Sequence, residues 1–198
     1  MPAPDAIAFV RAALPPAPAR VLEIGAGDGA LAEVLRGAGY DVTAIDPRGS
    51  GDVLPIPLLE LQAEAFDAAV AMTSLHHVEP LTESLERLGG LLRPGARLIV
   101  DEYDVDALDE RAARWWIAKS GQHQDPAEYV AHMREHIFSV AHIREQLRPW
   151  FDVSEPVPGA YLYRHKIGWA HRDEEEALIA TGVIPATGSR FIAVRRAD

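Results

Sequence analysis

The sequence contains no cysteine among its 198 residues, which excludes disulfides, thiolate nucleophiles and zinc sites built on thiolates. Positive charge is also scarce, since 19 Lys and Arg stand against 30 Asp and Glu, for a net charge of -11. Binding to phosphates requires clustered Lys and Arg, so we expect no nucleic-acid partner and a small molecule instead. Carboxylates, histidines, tyrosines and the backbone remain available for chemistry.

Long apolar runs are absent as well. No segment approaches the roughly 20 apolar residues that span a bilayer, and residues 1–5 lack the basic and apolar regions of a signal peptide. We therefore expect a cytoplasmic protein without a membrane partner. The length suits a single domain over residues 1–198. The oligomeric state stays open.

Apolar periodicity predicts alternating strands and helices after an N-terminal helix over residues 5–14. Strands are predicted at 20–24, 40–45, 52–56, 66–72, 97–100, 151–157 and 190–194. Helices are predicted at 31–38, 81–92, 106–120, 125–136, 140–147 and 173–181. Buried strands that alternate with helices indicate an α/β fold of three layers, with a doubly wound, mostly parallel sheet.

The first of these strands leads into a glycine-rich turn. Gly25, Gly27 and Gly29 allow a ligand to approach the backbone, and the next helix offers free N–H groups. A dinucleotide site uses G-x-G-x-x-G, whose third glycine comes one residue later. Glu23 would repel a diphosphate and attract an ammonium. The turn therefore favours a zwitterion such as the methionine end of S-adenosylmethionine.

The second strand ends on Asp46 and Pro47. A carboxylate at this position can accept hydrogen bonds from both hydroxyls of a ribose. The separation between Glu23 and Asp46 in the sequence is close to the roughly 20 residues expected for the ribose-binding acid of a βαβ unit. Pro47 offers an apolar surface beside an adenine. An Asp-Pro turn without a ligand is common by itself, but the neighbouring glycine turn favours the nucleoside interpretation.

Four segments carry a family resemblance: VLEIGAGDG at 21–29, VTAIDP at 42–47, FDAAVAMTSLHHVEP at 66–80 and LLRPGARLIVDEYD at 91–104. In this order they resemble the successive motifs of class I S-adenosylmethionine-dependent methyltransferases that act on small molecules. The resemblance implies a Rossmann-like sheet of seven strands in the order 3-2-1-4-5-7-6, with the last strand antiparallel.

The same resemblance implies roles for residues and segments. Helix 5–14 would cover the cofactor, and residues 105–148 and 159–189 would supply the substrate side. The cofactor-binding residues would be Glu23, Gly25, Ala26, Gly27, Gly29, Asp46, Pro47, Met72, Thr73, Ser74 and His77. No metal site is predicted.

Two segments depart from the family pattern. Many members place an acid after the third strand to hold the adenine amine, whereas this chain has Leu58 and Leu59 there, so we expect adenine to rest on apolar packing and backbone. The usual hairpin between the last two strands is replaced by the insertion 159–189. Within it, the acids at 173–176 are expected to begin a solvent-exposed helix.

Methyl transfer from a sulfonium is an in-line displacement that needs no catalytic nucleophile, because positioning supplies most of the acceleration. A hydroxyl acceptor would benefit from a base that titrates near pH 7, and histidine fits this task. His76, His77 and His136 are the catalytic candidates. Each could instead pack against or cap a helix.

We therefore predict a methyltransferase that acts on a small, partly apolar acceptor. The alternative is a protein that binds S-adenosylmethionine or S-adenosylhomocysteine without catalysis, since no base is obvious in the sequence. A nicotinamide-dependent oxidoreductase is a third hypothesis, which Glu23 and the glycine spacing disfavour.

Overall fold

A computed structural model describes residues 4–197 of the chain. One sheet runs through the described residues, in the order β3-β2-β1-β4-β5-β8-β6, with β7 pairing to β8. The first five strands are parallel, and β8 is antiparallel to its neighbours. The strands are β1 (Arg20–Ile24), β2 (Asp41–Ile45), β3 (Val53–Leu54), β4 (Phe66–Met72), β5 (Leu92–Tyr103), β6 (Phe151–Val153), β7 (Val157–Gly159) and β8 (Gly188–Arg195).

Helices cover both faces of the sheet. They are α1 (Pro4–Ala13), α2 (Ala30–Gly37), α3 (Leu81–Leu91), α4 (Glu110–Ser120), α5 (Pro126–His136), α6 (Val140–Leu147) and α7 (Arg172–Ala180). Side chains alternate between faces along a strand, so Leu22 and Ile24 pack in a cluster with α3 and α6, while Val21 packs with α1 and α2. This arrangement confirms the three-layer α/β architecture predicted from the sequence.

The strand order is the predicted one, with one difference in count. The segment predicted as a strand at 151–157 forms two strands, β6 and β7, so the sheet has eight. Between them, Ser154 pairs with Ile192 through its backbone N–H, and Pro156 has no N–H to donate. Pairing with β8 is therefore interrupted at Pro156, between β6 and β7.

A third apolar cluster lies at the carboxyl end of β5, away from the sheet faces. Trp116 of α4 stacks on Tyr129 of α5, with ring centroids 4.8 Å apart, and both pack with Leu162 and Ile184 of the insertion. Residues from α4, α5 and the insertion therefore form one unit beside the ends of the parallel strands. Helix α6 packs on the sheet instead.

Candidate functional site

The turn after β1 approaches the end of β4 closely. Gly25 has a φ of 69°, and a Cβ added there would lie 2.3 Å from the Cβ of Ser74. The N–H groups of Gly25 and Ala26 both donate to the Ile45 carbonyl, at 2.9 and 3.0 Å. Only glycine combines this backbone conformation with this approach, so the sequence requirement at Gly25 is steric.

Glu23 is a buried carboxylate with an unpaired oxygen. Its side chain lies at the end of β1, the residue is 4% exposed, and Oε2 has no hydrogen-bond partner among the described residues. Burial raises the pKa of Glu23 to about 7, against an opposing effect of Arg36. A cation placed beside this oxygen would relieve the desolvation of the ionised form.

Asp46 is tied to the glycine turn. Its Oδ2 accepts a hydrogen bond from the Gly27 N–H at 3.1 Å, and its Oδ1 accepts one from the Arg48 N–H at 2.8 Å. These contacts hold the carboxylate at the end of β2, beside the turn that follows β1. The side chain is only partly buried, so its remaining lone pairs are available to a ligand.

The segment after β4 is held in a strained conformation. Thr73 has a φ of 56°, an uncommon value for a β-branched residue. Its N–H donates to the Asp101 carbonyl at 2.7 Å, and the Ser74 hydroxyl donates to the Ile24 carbonyl at 2.7 Å. These bonds attach the end of β4 to both neighbouring strands and fix Thr73 at the edge of the sheet.

Glu102 supports this segment from β5. The sequence predicts residues 101–103 to contact substrate or to cap the next helix, but Glu102 lines neither cavity described below. It is fully buried, and its Oε1 accepts hydrogen bonds from the N–H groups of Ser74 and Leu75 at 2.8 and 2.7 Å. Its Oε2 lies 2.5 Å from His76 Nδ1 and accepts from the Tyr103 N–H. His76 thus contributes to the support of the segment.

Two cavities open at the carboxyl ends of the parallel strands and share Gly25 and Thr73. The larger, of about 740 Å³, is lined by Ile24, Gly27, Ile45, Asp46, Pro47, Arg48, Ile56, Pro57, Leu58, Ser74, His77, Val78, Glu79 and Ser84 besides the shared pair. The smaller, of about 270 Å³, is lined by Glu23, Ala26, Asp28, Leu31, Met72, Tyr163, Arg164, Gly168 and Trp169 besides the shared pair.

The insertion forms one wall of the smaller cavity. Glu175 of α7 is fully buried, and its carboxylate accepts hydrogen bonds from the N–H groups of Tyr161, Leu162 and Tyr163 at 2.7–2.9 Å. The prediction that the acids at 173–176 are merely solvated is therefore wrong for Glu175. Glu175 lies on the buried face of α7, where it accepts hydrogen bonds from three backbone N–H groups of the insertion.

A charged network anchors the same wall to the sheet. Asp101, at 2% exposure, accepts hydrogen bonds from Arg164 Nη1 through both oxygens at 3.1 Å and from Arg190 Nε at 3.0 Å. Arg190 Nη2 donates to Asp5 at 2.6 Å. The network joins α1, β5, β8 and the insertion.

Most of the predicted cofactor-binding residues line the two cavities. The exception is Gly29, which precedes α2, has a φ of 76° and lies against Val53, where an added Cβ would be 2.9 Å from Cγ2. Helix α1 begins and ends within one residue of the prediction, but none of its described residues lines either cavity.

The three candidate histidines occupy different environments. His77 is on the lining of the larger cavity, and partial burial, followed by the effect of His76, lowers the pKa of its ring. His76 is buried against Glu102 and lines neither cavity. His136 is exposed at the end of α5, with Nδ1 at 2.7 Å from the His132 carbonyl oxygen, and also lines neither cavity.

Comparison with known proteins gives the family. The profile of a family described as a methyltransferase domain matches residues 3–149, which is most of the chain. The chain therefore belongs to the methyltransferase-domain family, as its motifs predicted. Within the described residues, every helix is too short or too polar to cross a membrane.

A ubiquinone biosynthesis O-methyltransferase of Xanthomonas axonopodis pv. citri (strain 306) is 31% identical over 148 residues. The match covers 66% of this chain and 58% of that protein, so the chain spans little more than half of its relative.

Two solved structures share the fold. One is a 1,6-didemethyltoxoflavin-N1-methyltransferase of Burkholderia thailandensis with bound 1,6-didemethyltoxoflavin and S-adenosylhomocysteine, at a TM-score of 0.59, 18% identity, and coverage of 98% of this chain and 78% of that one. The other is the [4+2]-cyclase SpnF, at a TM-score of 0.62, 19% identity, and coverage of 97% and 80%. The likeness confirms the fold, which is compatible with more than one reaction.

Proposed function

We propose that the two adjacent cavities, which share Gly25 and Thr73, bind S-adenosylmethionine, with the methionine end in the smaller cavity and the adenosine in the larger. The observation that carries this proposal is the unpaired, buried Oε2 of Glu23 beside the Gly25 turn. An ammonium at that oxygen would supply its missing partner and stabilise its negative charge. A diphosphate would be repelled there.

The larger cavity suits a nucleoside. Asp46 is held by two backbone N–H groups and keeps acceptor capacity for ribose hydroxyls. Pro47, Ile56 and Leu58 give the same cavity an apolar wall, which supports the expectation that adenine packs without an acid after β3. Leu59 is exposed and takes no part in the lining.

We further propose that the chain is a methyltransferase with a small-molecule acceptor. The bound cofactor supplies a methyl group activated by its sulfonium. The residues of the chain bind and orient the reactants and exclude water, and such positioning is worth up to about 7–11 kcal/mol. The relative from Xanthomonas and the neighbour from Burkholderia, which modify small molecules by name, support this assignment.

The acceptor side is expected where the smaller cavity meets Thr73. Leu31, Met72 and Trp169 give that cavity apolar walls, so a partly apolar acceptor suits it. Among the described residues that line it there is no histidine. We assign His77 to the adenosine side, where it lines the larger cavity, and His76 to positioning of the segment after β4.

The experiment is transfer of a radiolabelled methyl group from S-adenosylmethionine to a panel of small phenols, quinols, amines and heteroaromatic compounds. We expect transfer to at least one partly apolar acceptor, loss of transfer in Asp46→Ala, and unchanged transfer in His136→Ala. A requirement for His136 would contradict the assignment of the site.

The second candidate is a protein that binds the cofactor without transferring its methyl group. The lack of a histidine among the described residues that line the smaller cavity favours it. The [4+2]-cyclase shows only that this fold also occurs in a protein named for a reaction other than methyl transfer. Tight cofactor binding, with no transfer to any member of the panel, would support this candidate over the methyltransferase.

A further inference from the structure

The smaller cavity contains charges of both signs. Glu23 and Asp28 bring carboxylates to its lining, and Arg164 is the one Lys or Arg side chain among the described residues that line it. Arg164 comes from the insertion between β7 and β8, outside the motifs that carry the family resemblance. A zwitterion needs one partner of each sign, and this cavity supplies both.

Arg164 is held rigidly while part of its guanidinium stays available. Nη1 donates to both oxygens of Asp101 at 3.1 Å, and Nε donates to the Tyr163 hydroxyl at 3.1 Å. Nη2 makes no hydrogen bond to the described residues, and its ion pair with Asp5 is long, at 3.7 Å. Arg164 also lines a neighbouring cavity together with Asp5 and Asp101, so its guanidinium lies between the two cavities. Nη2 therefore retains two N–H donors on a guanidinium whose orientation is already fixed.

Two aromatic rings also contact the guanidinium of Arg164. The ring of Tyr161 lies under the guanidinium at 5.8 Å and the ring of Tyr163 at 5.5 Å. The backbone that carries both tyrosines is bound by the buried carboxylate of Glu175. A side chain held this way loses little further freedom when it binds an anion.

We propose that Arg164 binds the carboxylate of the methionine end of the cofactor, opposite the ammonium site at Glu23. This assignment rests on the proposed cofactor site and gives the insertion a role in cofactor recognition. Arg164 is thus a specificity residue that selects an amino-acid carboxylate over a ligand that has only the amine.

The test compares affinities for S-adenosylmethionine and decarboxylated S-adenosylmethionine by isothermal titration calorimetry, without any acceptor. We expect the wild type to prefer the carboxylated ligand by tenfold or more, and Arg164→Gln to reduce this preference to about threefold or less. Arg164→Lys keeps the charge and should give an intermediate preference. Arg172→Gln, which removes a nearby charge that does not line the cavity, should keep the wild-type preference.

The outcomes separate the two proposals. An undiminished preference in Arg164→Gln and Arg164→Lys would overturn the role of Arg164, and so would an equal loss in Arg172→Gln. Failure of the wild type to bind either ligand would overturn the proposed function itself. Circular dichroism of each variant checks folding, and Arg164→Lys keeps the test decisive if Arg164→Gln does not fold, since Arg190 and a lysine can both pair with Asp101.

Discussion

Glu23 should couple cofactor binding to proton release. Burial raises the pKa of this carboxyl to about 7 in the free protein, so at pH 6 about nine in ten molecules carry the proton. An ammonium bound at Oε2 favours the ionised form and lowers that pKa. The ammonium itself, with a pKa near 8 like other α-amino groups, stays protonated at pH 6. Binding should therefore release close to one proton at pH 6.

Isothermal titration calorimetry in two buffers of different ionisation enthalpy counts this proton directly. We expect about half a proton at pH 7, because half of the Glu23 side chains are then already ionised. Glu23→Gln has no proton to release and serves as the control. Equal proton release from the wild type and Glu23→Gln, or none from either at pH 6, would refute the placement of an ammonium at Glu23.

The same group predicts how stability depends on pH. Folding raises the pKa of Glu23 from 4.5 to about 7, so the folded protein binds this proton more tightly than the unfolded chain does. The resulting contribution to the free energy of unfolding is fully present below pH 4.5 and is lost as the pH rises through 7. The wild type should lose about 3 kcal/mol of unfolding free energy relative to Glu23→Gln over this interval. Urea unfolding of both proteins without ligand measures the difference.

Three further substitutions test the framework of the site by urea unfolding. Gly25→Ala should lower the unfolding free energy by about 2 kcal/mol or more, because it combines a positive φ with a Cβ at 2.3 Å from the Ser74 Cβ. Glu102→Ala should cost about 3 kcal/mol or more, since it leaves the buried N–H groups after β4 without an acceptor. Glu175→Ala should cost a similar amount and should expose the insertion to protease.

Each of these substitutions has a matched control in the chain. Gly27→Ala shares the positive φ but meets nothing within 4 Å, so it should cost only about 1 kcal/mol. Glu176→Ala removes an exposed acid next to Glu175 and should cost less than about 1 kcal/mol. For Glu102 the control is the exposed Glu60. Equal losses within any pair would show that burial and backbone contacts do not decide these effects.

Local patterns were sufficient to predict the fold, and they also indicate which residues lie at the carboxyl ends of β1, β2 and β4, where we propose that the nucleoside binds. The glycine turn, Asp46 and the strand β4 are each specified by neighbouring residues, and the structure places them together because parallel strands end at one edge of the sheet. The interruption between β6 and β7 is not predictable in this way, since Pro156 alone does not reveal where in the segment FDVSEPV at 151–157 the pairing with β8 breaks.

The supporting carboxylates could not be predicted in the same way. Glu102 accepts hydrogen bonds from backbone N–H groups that are distant in the sequence. Glu175 accepts them from a segment whose path the sequence does not reveal, and a carboxylate on a helix is more often exposed to solvent. The sequence indicates Arg164 only as a member of the insertion 159–189 and predicts no role for it. Its position depends on Asp101, 63 residues away, and on the packing of two tyrosine rings. Three-dimensional contacts determine these roles.

We propose that the ends of β1 and β2 form a site for S-adenosylmethionine, and a calorimetric titration of that ligand into the wild type, Glu23→Ala and Asp46→Ala tests this assignment. We predict saturable binding of one molecule per chain by the wild type and at least tenfold weaker binding by each variant, since each loses a charged partner of the ligand. Undiminished affinity in both variants would contradict the claim, as would a wild type that does not bind the ligand.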